Sequence, residues 1–184
     1  EKRTGKLVQP INDGLAVATG KYLCHGDDDE MFYPDKFKAM SMILDHNPDI
    51  DLVYCDDIMH RVNEGKLYIT RERSKHFDLE LLRKYNYIST DGPMYRRKLY
   101  DECGGWVGGS VRFSRQSTDW HTWLKYANAG YKFFHLPLVL QEGYSLASVP
   151  YFWDVDRKLT ELTDEIVTKK LVDFIHYEKN KTKK

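Results

Sequence analysis

Three consecutive acids, Asp27, Asp28 and Asp29, follow a short apolar run and carry the densest chemistry in the chain. Carboxylates at i and i+2 on a loop can converge on one hard cation. Mg2+ or Mn2+ takes oxygen ligands in octahedral geometry and is often shared between a carboxylate and a substrate diphosphate. The metal then offsets charge on a departing diphosphate. An EF-hand loop would need Gly at its sixth position, where this chain has Phe32. Taken alone, the triplet is better explained by solvated loop carboxylates. Asp56 and Asp57 end a second apolar run, where such pairs commonly cap a turn. Asp91 and Gly92 open a turn, and glycine there lets a substrate approach the backbone. With Ser117 as N-cap, Asp119 falls in the first turn of a helix, where the dipole favours an ionised carboxylate. Arg112 and Arg115 could meet diphosphate oxygens or only water. Trp106 and Trp120 suit either a sugar platform or the core, and Trp123 suits the core.

The elements that must position these residues alternate between strand and helix. Residues 11–19 place Ile11, Leu15 and Ala18 at helical spacing, with Gly20 as the stop. Residues 21–25 read as a short buried strand that runs into the acids, as at the carboxyl end of a parallel sheet. Pro34 heads a helix with Phe37, Met40, Ile43 and Leu44 inward, and Asn47-Pro48 ends it. A strand is expected over 51–55, a hairpin over 62–70, and a helix over 77–85. A strand around Pro93 to Tyr95 leads into a helix over 97–103, closed by Gly104 and Gly105. Residues 108–117 lack periodicity and read as a loop. A helix over 118–129 turns Trp120, Trp123, Leu124 and Ala127 inward. Two strands flank Pro137, and residues 156–177 form an amphipathic helix before a basic tail. The alternation predicts an α/β fold with a mixed sheet flanked by helices.

Composition removes several classes. Lys plus Arg and Asp plus Glu both total 28, so no global field points to nucleic acid. No apolar run approaches the ~20 residues that span a bilayer, and no secretory h-region follows the charged start. Cys24, Cys55 and Cys103 are odd in number and far apart. That favours a reduced compartment and argues against a zinc site.

Several ordered motifs together resemble the central block of family 2 glycosyltransferases. These are Asn12-x-Gly14-x-x-x-Ala18-x-Gly20-x-Tyr22-Leu23, then Asp27-x-Asp29-Glu30, then Pro34-Asp35-Lys36-Phe37. Gly104-Gly105-Trp106, the run from Ser117 to Leu124, and Ala129-Gly130-Tyr131-Lys132 continue the likeness, which covers residues 9–140. The resemblance implies a Rossmann-like fold of the GT-A type and a metal-dependent, inverting transfer from a nucleotide diphosphate sugar. The expected donor is a UDP-sugar, and the acceptor is a hydroxyl of a saccharide or lipid-linked molecule in surface polysaccharide synthesis. Asp29 would hold Mg2+ or Mn2+, Asp27 would face that metal or the nucleotide ribose, and Asp28, Asp91 and Gly92 would lie beside the donor. Asp119 would be the general base. Gly104, Gly105, Trp106 and Trp120 would face the acceptor. Thr118 stands where the family usually has Glu.

Family members carry a longer stretch before the Asp-x-Asp motif, so the chain is expected to start inside the domain. The expected division is a partial GT-A core over 1–150 and a helix with basic tail over 151–184. The resemblance further implies a cytoplasmic location, with at most peripheral contact at the inner membrane face. Homo-oligomerisation is left open. The rival readings are an inactive carbohydrate-binding or assembly module of the same fold, and a nucleotidyltransferase. The latter would need a Gly-rich or Lys-bearing phosphate loop that the sequence lacks.

Overall fold

Apolar side chains alternate along the strands and so divide one sheet into two packed faces. The computed structural model describes residues 8–27, 30–63, 66–72, 75–107 and 118–145. Their elements are α1 (Val8–Val17), β1 (Tyr22–Cys24), β2 (Met31–Phe32), α2 (Lys36–His46), β3 (Leu52–Asn63) and β4 (Lys66–Glu72). After them come α3 (Leu79–Lys84), β5 (Met94–Arg96), α4 (Arg97–Cys103), α5 (Thr118–Asn128) and β6 (Phe133–Ser145). The sheet order is β1-β5-β3-β6-β2, with β4 paired to β3. β3 and β6 are parallel, and β5 runs antiparallel to both β1 and β3. The expected mixed α/β architecture is therefore present.

Successive strand residues point to opposite faces. Leu52, Tyr54, Tyr95 and Phe133 enter a core with Leu15 of α1, Leu82 of α3, Leu99 of α4, and Trp123 and Tyr126 of α5. Val53, Cys55, Met94 and Leu136 enter the other core, against Ala39, Met40, Ile43 and Leu44 of α2. Each large apolar side chain buried there contributes about 1.5–3 kcal/mol. Arg96 fastens the end of α2 to the sheet by donating to the carbonyls of Ile50 (2.8 Å) and Asn47 (3.2 Å).

Two expectations change. Asp56 and Asp57 do not cap a turn; both are buried inside β3, which continues to Asn63. Burial is tolerated at Asp56 because His135 Nε2 lies 2.7 Å from its Oδ1. Likewise, Pro137 does not separate two strands. Cys55 pairs with Leu136 and Asp56 with Val139, so Pro137 sits in a bulge, where its missing N–H breaks no ladder bond. α1 ends at Val17, ahead of the expected stop at Gly20, but two later glycine stops hold. α4 ends at Gly104, whose φ of +76° suits glycine, and Gly130 follows α5 at φ +91°. Among the described residues no helix is long and apolar enough to cross a membrane. Asp28, Asp29 and the segments expected to form a loop over 108–117 and a helix over 156–177 lie outside the described residues.

Candidate active site

β1 ends at Cys24, and the chain turns through His25 and Gly26 to Asp27. β5 runs antiparallel beside it, so the segment entering β5 arrives at the same end of the sheet. That segment carries Asp91. The backbone N–H of Asp27 donates to Asp91 Oδ1 at 3.0 Å. His25 Nε2 lies 2.8 Å from Asp27 Oδ1 and 3.7 Å from Asp91 Oδ1. Side-chain exposure is 49% for Asp27, 18% for His25 and 4% for Asp91. The cluster therefore has an open lip and a buried floor.

Burial, together with the charge of Asp27, pushes the Asp91 carboxyl up from 3.8 to about 6. A carboxylate that binds protons more tightly when folded opposes folding as pH rises through that window. The stability difference is absent below about pH 4, grows between 4 and 6, and is constant above. The size is about 1–3 kcal/mol. Asp91→Asn keeps an oxygen for the Asp27 N–H and removes the charge. It is expected to stabilise the protein by about that amount at pH 7.5 in chelator, and negligibly at pH 4. Denaturant melts at the two pH values test this; an equal difference at both would assign the effect to something other than ionisation.

Lys36, in the first turn of α2, reaches under this floor and is fully buried. Its Nζ donates to the Asp91 carbonyl (2.5 Å) and to Gln141 Oε1 (2.6 Å), and stands 4.0 Å from the Phe32 ring centroid. Desolvation holds its pKa below the ordinary lysine value. Gln141 in turn donates to Ser89 Oγ at 3.1 Å. The backbone of residues 89–91 is thus tied to β6 and α2.

Asp119 lies in the first turn of α5 and is buried. Asn86 Nδ2 donates to its Oδ2 at 2.8 Å, and Thr90 Oγ1 donates to the same oxygen at 3.0 Å. Among the described residues, no bond falls on Oδ1. Thr90 and Asp91 are chain neighbours. The first holds Asp119 and the second holds Asp27, so one short segment joins the two acidic groups.

The Gly-Gly-Trp stretch is fixed from both sides. Asn12 on α1 receives the Trp106 N–H (2.7 Å) and donates to the Trp106 carbonyl (3.0 Å). A Cβ on Gly105 would lie 2.2 Å from Asn12 Oδ1, so only glycine fits. Lys125 on α5 donates to the carbonyls of Gly104 (2.9 Å) and Gly105. Trp106 is buried, 5.3 Å from Trp123 between ring centroids and 5.1 Å from the His25 ring. Its position is that of a core residue behind the site. Trp120 is half-buried, and its Nε1 donates to the Leu82 carbonyl at 2.6 Å. Gly92 lies beside Asp91 against Ser89. A cavity of about 400 Å3 opens between α1 and the end of β1, lined by Pro10, Ile11 and Gly14 on one side and His25 and Gly26 on the other.

The structure brings together Asp27, Asp91, Gly92 and Asp119. Asp56 and His135 form a buried pair of their own, and the His135 ring stacks on Tyr54. Four residues were missed by sequence reasoning: His25, Lys36, Asn86 and Thr90. His25 precedes the acids by two positions, and this proximity was a usable signal. Asn86 and Thr90 sit in an irregular stretch without periodicity.

No family model matches the chain. An uncharacterized glycosyltransferase of Haemophilus influenzae is 33% identical over 60 residues, which is 33% of this chain and 20% of that protein. The uncharacterized protein y4gI of Sinorhizobium fredii is 27% identical over 105 residues, 57% of this chain and 11% of its own length. The chain thus spans a fifth or less of these curated relatives. Among solved structures, residues 1–349 of TarS from S. aureus superpose with a TM-score of 0.56 at 16% identity. The match covers 79% of this chain and 42% of that one. At that identity the likeness concerns the fold, a mixed sheet flanked by helices.

Proposed function

We propose that this chain is the catalytic portion of a metal-dependent, inverting glycosyltransferase of the family 2 type. It moves a sugar from a nucleotide diphosphate sugar, a UDP-sugar first among candidates, to a hydroxyl of a saccharide or lipid-linked acceptor. The observation that carries the reading is the single brace from Thr90 and Asp91, which holds Asp119 and the Asp27 cluster at one end of the sheet. The similarity to the Haemophilus influenzae glycosyltransferase and the fold shared with TarS support it.

The donor set fits a divalent cation: two carboxylates, one of them buried beside a like charge, and an imidazole within reach. Asp27, with Asp29 following it, would hold Mg2+ or Mn2+. When bound, the cation offsets charge on the departing diphosphate. Asp119 supplies the proton chemistry. With Oδ2 engaged by Asn86 and Thr90, its Oδ1, which receives no bond from the described residues, is the oxygen assigned to accept the proton of the acceptor hydroxyl. The deprotonated oxygen then forms the new bond at the anomeric carbon as the nucleotide diphosphate leaves from the opposite side. A surface-polysaccharide acceptor would place the reaction at the cytoplasmic face of a membrane.

The test is release of nucleoside diphosphate across a panel of nucleotide sugars with Mg2+ or Mn2+, repeated in chelator and with Asp27→Asn. One donor is expected to give turnover at least ~10-fold above the chelated control, and Asp27→Asn to lose most of it. Turnover of no donor in the panel, with no donor bound in calorimetry, would sink the reading.

A further inference from the structure

His25 does not belong to the acid motif, yet its Nε2 lies within 4 Å of both carboxylates, 2.8 Å from Asp27 Oδ1 and 3.7 Å from Asp91 Oδ1. The three donor atoms His25 Nε2, Asp27 Oδ1 and Asp91 Oδ1 all lie within 4.8 Å of one another. Two ligands about 2.1 Å from a shared ion are about 3.0 Å apart at right angles and about 3.4 Å apart in a tetrahedron. The observed separations from Nε2, 2.8 and 3.7 Å, bracket those values. The three come from different constraints. Asp91 is fixed by Lys36 on its carbonyl and by the Asp27 N–H on its carboxylate. The His25 ring rests 5.1 Å from Trp106, which Asn12 holds on two sides. The cluster also borders the 400 Å3 cavity, so an ion there would be reached from solvent.

We propose that His25 and Asp91 join Asp27 as ligands of a divalent cation, and that the imidazole makes the site selective for Mn2+, Co2+ or Zn2+ over Mg2+ or Ca2+. The proposal rests on the metal-dependent reading above and names its ligand set. Imidazole nitrogen suits the later first-row ions, whereas Mg2+ and Ca2+ prefer carboxylate, carbonyl and water oxygens. An all-oxygen set discriminates less strongly between these ions. His25 also packs against the element that carries the Gly-Gly turn, so an ion on its Nε2 would tie the floor of the site to that turn.

Calorimetry with Mn2+, Co2+, Zn2+ and Mg2+ in the absence of nucleotide tests the proposal on wild type, His25→Gln and Asp91→Asn. Wild type is expected to bind Co2+ and Mn2+ at least ~10-fold more tightly than Mg2+. His25→Gln, which can still hydrogen-bond Asp27, is expected to lose that preference and leave Mg2+ affinity within ~3-fold. Asp91→Asn is expected to weaken all ions. On wild type alone, bound Co2+ should shift an imidazole N–H resonance far downfield, a readout independent of how well any variant folds. Equal affinity for Mg2+ and Co2+, or an unshifted imidazole spectrum with Co2+ bound, would overturn the ligand set. Neither result bears on sugar transfer, which stands or falls on the donor panel.

Discussion

On the proposed mechanism, replacing Asp119 with Asn is expected to lower kcat for sugar transfer by about 10²–10⁴-fold, the range that a positioned general base contributes, while the KM for the donor stays within a few-fold. The two donors on Oδ2 decide the direction of the effect. An asparagine must turn its carbonyl oxygen towards Asn86 and Thr90, because its NH2 would face two donors. Its NH2 then occupies the place of Oδ1, where it donates and cannot accept a proton. Shape, burial and helix start are unchanged, so folding and donor binding should persist. Steady-state kinetics over a donor series, with calorimetry for donor affinity, provide the check. An unchanged kcat with donor still bound would remove Asp119 from the chemistry and favour an inactive binding module of the same fold.

Trp123→Ala is the second large effect. Trp123 is fully buried and makes edge contacts with Trp106 at 5.3 Å and Tyr95 at 6.2 Å between centroids. It lies one turn beyond Asp119 on α5, so it anchors the helix that presents that carboxylate. Truncating a buried tryptophan costs about 3–5 kcal/mol, against a total of about 5–15 kcal/mol for an ordinary domain. The melting midpoint should fall by about 6–20 °C. Trp123→Phe should cost far less. The buried Trp123 Nε1 has no hydrogen-bond partner among the described residues, and phenylalanine removes that unpaired donor. Thermal melts of the two variants distinguish packing from polarity. A drop below about 3 °C for the alanine variant would show that the surrounding aromatic rings collapse into the space.

Much of the fold was legible because its signals are local. Pro48 after Asn47, Gly104 after Cys103 and Gly130 after Ala129 mark helix ends by backbone chemistry that operates within a few residues. The failures were long-range. Asp56 and Asp57 read as turn formers because nothing nearby indicates His135, which lies 79 positions on and accommodates Asp56 inside the strand. Pro137 read as a break because the bulge that accepts it is defined by its partner strand. The same division applies to the site. Asp27, Asp91 and Asp119 were visible as acids beside turns and caps. What gives them geometry was not visible: Lys36 reaches Asp91 across 55 positions, and Asn86 and Thr90 reach Asp119 across 33 and 29. Asparagine and threonine in an irregular segment have many ordinary explanations, and only their partners select one.

The segment from Asn86 to Asp91 works as a gauge block. Asn86 and Thr90 grip Asp119, Ser89 accepts from Gln141, and Asp91 is held at its carbonyl by Lys36 and at its carboxylate by Asp27. One inserted residue would add about 3.5 Å of chain, more than the length of any hydrogen bond in the set. What this stretch must conserve is therefore its count of residues, which sets the spacing between Asp119 and the Asp27 cluster as a machinist's spacer sets a gap.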